Sequence, residues 1–295
     1  MTEPKIEFYK LRDFGAKMNA TIEFLRENMG RLFLNLLFIA APMALVMSIL
    51  FTNLFSSFTD AVGLNDEAEA LNFFAVIGGS YFLILLVSWL AGSMVISVTL
   101  TYLRLYNEGV AKETAVGDVL KLALKKYGGI LILSFLILII IFFSFFFFIL
   151  PGVFMFFVLP LCFATYMFED ISAPSAIGRT FSLLKGKWFS TFGIGLIGYI
   201  LFYIVQMVFS LPTLVVYFAN IFTLAEDIQS NPGDPTAVFE LFTSGYMTLA
   251  FAISMVGSYL SSSIWFIGYS YQYANLVERA EGRGLMNEIE GFDNE

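Results

Sequence analysis

The chain has 295 residues, 58% of them hydrophobic and 14% charged, with mean hydropathy +0.80 and a formal net charge of −8. A soluble domain carries about 25% charged residues, so these values exclude an ordinary soluble protein and point to an all-α polytopic membrane protein. There is no histidine, and Cys162 is the one cysteine, which removes Ser-His and Cys-His nucleophile pairs, His-ligated metals, cysteine clusters and intrachain disulfides.

Residues 1–31 are charged throughout and show no cleavable signal; the first apolar run is expected to act as an uncleaved signal anchor. Within this segment Phe14, Met18, Ile22, Leu25 and Met29 recur at helical spacing, which predicts an interfacial amphipathic helix over 14–29. A spanning helix needs about 20 apolar residues, and residues 32–54 and 73–103 supply the first two spans. Val116, Val119, Leu120, Ala123 and Tyr127 predict a second interfacial helix over 116–127. The next apolar run is too long for one span and holds Leu150-Pro151-Gly152 near its middle, so a hairpin of helices 130–150 and 153–168 is expected, its short second arm either spanning or re-entrant. Ser172 before Ala173-Pro174 is a reasonable N-cap for a third interfacial helix over 173–185, with Ile177, Phe181 and Leu184 as its apolar stripe. Spans 188–218 and 247–275 complete six, forming one membrane domain over 1–275, and an acidic tail follows over 276–295.

All sixteen Lys and Arg residues fall in four blocks: Lys5 to Arg31, Arg104 to Lys126, Arg179 to Lys187, and Arg279 with Arg283. With six spans these blocks share one side, and the rule that Lys and Arg stay inside makes both termini cytoplasmic. The two opposite loops hold Asp60, Asp66, Glu67, Glu69, Glu226, Asp227, Asp234 and Glu240 and no base. They do not follow an EF-hand spacing and read as solvated acidic loops. The interfacial helices are expected to end at Gly30, Gly128 and Gly186, which suggests three copies of one unit, an amphipathic helix followed by two membrane helices.

Leu150-Pro151-Gly152, the helix ending at Glu169, and Ala173, Ala176, Arg179, Leu184, Gly186, Trp188 and Gly193 together resemble the membrane domain attached to some bacterial glycerophosphodiester phosphodiesterases. The opening from Phe14-Gly15 to Phe33, with Arg26 and Gly30, is similar to the lead-in helix of that group. The tail from Tyr271-Gln272-Tyr273 to Gly284-Leu285 resembles its stand-alone members, found in Bacteroidetes-type bacteria. The resemblance implies a multi-pass protein of the bacterial inner (plasma) membrane without the soluble phosphodiesterase barrel, since no soluble stretch is long enough to form one. Some stand-alone relatives carry a carotenoid-oxygenase name; such oxygenases hold iron with histidines, which this chain lacks.

Two residue sets are candidates for function. Arg26, Arg31, Lys125, Lys126, Arg179, Lys185 and Lys187 are the bases nearest the membrane and are candidate contacts for anionic lipid headgroups or a membrane-protein partner. Ser88, Gln206, Ser254, Ser258, Ser261, Trp265 and Gln272 form polar stripes on helices two, five and six, either for helix packing or as a polar groove. No charge lies within the apolar runs, which argues against a proton-driven pump. No base cluster is dense enough for nucleic acid, and no cofactor is expected. The composition favours a non-catalytic protein that organises lipid or a partner complex; the alternative is a permease or lipid-translocating protein.

Overall fold

A computed structural model describes residues 6–60, 67–230 and 236–292. Every described secondary-structure element is a helix: α1 (Phe14–Asp60), α2 (Glu67–Asn107), α3 (Val116–Phe147), α4 (Ile149–Val158), α5 (Leu161–Glu169), α6 (Ala173–Leu183), α7 (Trp188–Ser230), α8 (Thr236–Glu240), α9 (Gly245–Glu281) and α10 (Arg283–Phe292). Six stretches are long and apolar enough to cross a membrane: α1, Leu71–Asn107 of α2, α3, Ile149–Glu169 (α4 with α5), Trp188–Ile221 of α7, and α9. Large side chains such as Phe142, Phe146 and Leu150, exposed by 62%, 74% and 83%, form surface that suits lipid tails and would be costly in water. The chain is therefore a multi-pass helical membrane protein.

The helices sort into two compact units. Unit 1 comprises Met1–Leu36, Ser93–Tyr203 and Ser261–Glu295; unit 2 comprises Leu37–Gly92 and Ile204–Leu260. All sixteen bases belong to unit 1, together with sixteen acids, while unit 2 has eight acids and no base. The core of unit 1 gathers Leu100 of α2, Ile130, Leu133 and Ile137 of α3, Leu159, and Cys162 and Met167 of α5, with Ala173 and Ala176 of α6 against them. Unit 2 is joined by phenylalanine pairs, Phe55 with Phe242 at 4.6 Å between ring centroids and Phe58 with Phe239 at 5.2 Å. A 2.8 Å bond between the hydroxyls of Thr52 and Thr248 adds to them.

Several expected boundaries shift. Gly30 and Gly128 do not end helices, because α1 and α3 run through them. Neither glycine has a positive φ, and an unbroken helix keeps every backbone group bonded where water is scarce. Only Gly186, at φ +72°, interrupts the chain between α6 and α7, so the glycine mark of the three-part repeat does not hold. In the hairpin, the break falls at Phe148 (φ −154°, ψ 133°), and Pro151 and Gly152 lie in the first turn of α4. Proline is tolerated there because a first-turn N–H has no helical partner to lose. Gly152 serves close approach: a Cβ would lie 2.8 Å from the Phe145 Cα.

The apolar stripes are covered unevenly: in the second, Val119 and Ala123 are buried and Val116, Leu120 and Tyr127 partly so. In the first interfacial segment the buried face is Lys17, Thr21, Phe24 and Asn28 with Met18 and Leu25 of the expected stripe, while Phe14, Ile22 and Met29 point outward. In and just after α6 the buried positions are Ala173, Ala176, Thr180, Leu183 and Leu184, the last from the expected stripe, with Ile177 and Phe181 partly covered. The buried residues of these segments pack inside the protein. The segment after residue 275 stays helical to Glu281 and through α10, with Leu276 and Val277 buried. Of the acidic loops, Asp66 and Asp234 lie outside the described residues, as do the side chains of Glu67, Glu226, Asp227 and Glu240.

Candidate functional site

Asp170 caps α5 in the left-handed conformation, at φ 53°. Aspartate tolerates this region better than most residues, and the turn sets its carboxylate between two cations. Arg104 Nη1 donates to Asp170 Oδ1 at 3.0 Å and to the Met167 carbonyl at 3.3 Å, while its Nε donates to Glu108 at 3.1 Å. Lys126 donates to the same Asp170 oxygen. Its ammonium also lies 5.7 Å from the centre of the Tyr166 ring. That ring fits because residue 129 is glycine; a Cβ there would lie 1.9 Å from the Tyr166 oxygen. The hydrogen bonds from Arg104 and then Lys126 hold the Asp170 carboxyl below its ordinary range despite partial burial.

These residues border a cavity of about 350 Å³, lined on its polar side by Thr101, Arg104, Glu108, Lys125, Lys126 and Asp170. Leu105, Leu122 and Met167 form its apolar wall. Among the described residues, the exposed Lys125 has no ion-pair partner and the buried Thr101 hydroxyl has no hydrogen-bond partner.

A second ionic cluster joins α6 to the end of α9. Arg179 Nε donates to both Glu169 oxygens, at 3.0 and 2.9 Å, and its Nη2 donates to Glu281. Glu281 also accepts from Arg283 at 3.0 Å, and Tyr273 donates to Glu169 at 3.2 Å. Burial opposes the Arg179 charge, yet the bonds to Glu281 and Glu169 outweigh it and raise the guanidinium pKa.

The seven candidate bases thus divide. Lys126 and Arg179 are committed to internal ion pairs. Arg26, Arg31, Lys125 and Lys185 are exposed and Lys187 half-buried, without an ion-pair partner among the described residues. The candidate groove does not assemble in one unit. Ser88, Gln206, Ser254 and Ser258 belong to unit 2; Ser261, Trp265 and Gln272 belong to unit 1.

In unit 2, Gln206 Nε2 donates to the Ser254 carbonyl at 3.0 Å, the Ser254 hydroxyl lies 2.8 Å from that of Thr213, and Ser88 donates to the Met47 sulfur at 3.7 Å. In unit 1, Trp265 donates to the Gly195 carbonyl at 2.8 Å, and Gln272 bridges Lys17 and Thr191 at 2.7 and 2.8 Å. These groups spend their hydrogen bonds on helix packing.

The sequence reading missed Lys17, Thr101, Arg104 and Asp170. Lys17 is 3% exposed, with its ammonium on Gln272 and on Ser190 at 3.1 Å. The spacing of Lys17, Thr21, Phe24 and Asn28 marks one helix face, but a lysine on it reads as the solvated side. Arg104 and Asp170 are 66 residues apart, and nothing local signals that they meet. Comparison with protein-family models, with curated proteins and with solved structures finds no match to this chain.

Proposed function

We propose that this is a non-catalytic protein of the bacterial inner membrane, with both termini cytoplasmic, whose unit 1 engages anionic lipid headgroups and so organises lipid or a membrane partner. The observation that carries the reading is the division of the bases: Arg26, Arg31, Lys125 and Lys185 remain exposed and unpaired among the described residues, in the unit that holds every base of the chain. Near anionic headgroups each such charge contributes about 1 kcal/mol of attraction. The hydrogen bonds within each unit that occupy the polar stripes favour a structural role for those residues over a transport path.

The test is lipid enrichment around the full-length protein extracted from native membranes. Anionic phospholipids should be enriched over the bulk membrane, and replacing Arg26, Arg31 and Lys185 with Gln should reduce that enrichment. Unchanged enrichment in the triple variant would refute the reading. Protein-dependent lipid scrambling or solute flux in reconstituted vesicles would overturn it in favour of a permease or lipid-translocating protein.

A further inference from the structure

We infer that the cavity beside Asp170 in unit 1 is a binding site for the phosphodiester of one anionic glycerophospholipid. This rests on the lipid-engaging reading above and narrows it to a single retained molecule. Three cations and two carboxylates border the cavity, which leaves one positive charge for an incoming anion. Asp170 and Glu108 fix the Arg104 guanidinium, and Asp170 fixes Lys126, so both cations are held in place before a ligand arrives. Lys125 has no such partner and supplies the uncompensated charge.

Arg104 and Lys126 have further N–H donors beyond those given to Asp170 and Glu108, and a phosphate oxygen is an acceptor for them. The volume of about 350 Å³ falls in the range of small-molecule sites. Inorganic phosphate offers the same oxygens. The wall of Leu105, Leu122 and Met167 selects the lipid, because apolar surface gains nothing from a bare ion and gains area from glycerol and acyl carbons. The cavity also lies where the α2 and α5 apolar runs stop and near the start of α3.

The experiment uses the full chain, stripped of lipid in detergent, with phosphatidylglycerol, phosphatidylcholine or inorganic phosphate added back and adducts counted by native mass spectrometry. One phosphatidylglycerol per chain should be retained, about tenfold more tightly than phosphatidylcholine. Lys125→Ala should weaken that retention about tenfold, and Lys10→Ala, at an exposed base that pairs with Glu7 and does not line the cavity, should leave it unchanged. Inorganic phosphate binding as tightly as the lipid would overturn the lipid assignment. Retention unaltered in Lys125→Ala, in a wild-type protein that still prefers anionic lipid, would refute the cavity and leave the broader reading standing. A wild-type protein with no anionic preference would refute both.

Discussion

In unit 1, Arg179 reaches Glu169 and Glu281, and Asp170 reaches Arg104 and Lys126. In unit 2 the links between helices are phenylalanine pairs, the Thr52–Thr248 hydroxyl contact and Gln206 on the Ser254 carbonyl. The two units solve one problem, joining helices that are apolar almost throughout, with different chemistry. Unit 1 has bases to set against its acids at partial desolvation, whereas unit 2 has no base, and rings, hydroxyls and close backbones join its helices instead.

The largest expected effects come from filling close approaches, one in each unit. A Cβ on Gly257 would lie 2.1 Å from the Phe209 Cβ in unit 2, and one on Gly195 would lie 2.4 Å from the Phe157 carbonyl oxygen in unit 1. Gly257→Leu and Gly195→Leu should each cost about 3 kcal/mol and lower accumulation in the membrane. Normal yield and an unchanged thermal midpoint would show that neither approach holds its unit together.

Removing one charge should separate the units next. Glu169→Gln takes a carboxylate from Arg179 and Tyr273 and should destabilise by about 1–2 kcal/mol. Thr213→Val in unit 2 loses a neutral hydroxyl that meets Ser254 and donates to the Ala250 carbonyl, and should cost about 0.6 kcal/mol. Equal losses in a denaturation series would erase the distinction between the two chemistries.

Acid should act on unit 1 through Asp170. Its folded pKa is depressed, so its contribution is present above the unfolded value of about 3.9 and is lost as pH falls through the lower folded value. The thermal midpoint should therefore fall on acidification below about pH 4, and Asp170→Asn should blunt that fall. An identical acid response in the variant would sink the assignment.

The smallest effect is expected from Gln206→Leu. It loses the bond to the Ser254 carbonyl but also removes an amide oxygen that is buried without a partner, so stability should stay within about 0.5 kcal/mol of wild type. A loss several times larger would mean that the amide does more than join two helices.

Of the candidate residues, Lys125, Lys126 and Arg179 were legible because each is a base at the edge of an apolar run. Their fates were not: Lys126 and Arg179 depend on Asp170, Glu169 and Glu281, which approach only after the helices associate. The hairpin was legible from the length of its apolar run. Its break at Phe148 was not, because proline and glycine mark a turn by local preference while the position of the break depends on how α4 lies against Phe145.

By itself the sequence determined that the chain is apolar enough to cross a membrane six times and that its bases and its base-free acidic loops fall in alternate segments. Length and hydropathy settle this, because the cost of placing backbone or charge in hydrocarbon exceeds any local preference. Only the tertiary structure decided which face of each interfacial segment is inward, with Lys17 buried and Ile22 exposed, and which bases are neutralised. Those outcomes depend on residues distant in sequence, such as Gln272 for Lys17 and Asp170 for Arg104, whose approach is set by shape and charge among packed helices rather than by spacing along one.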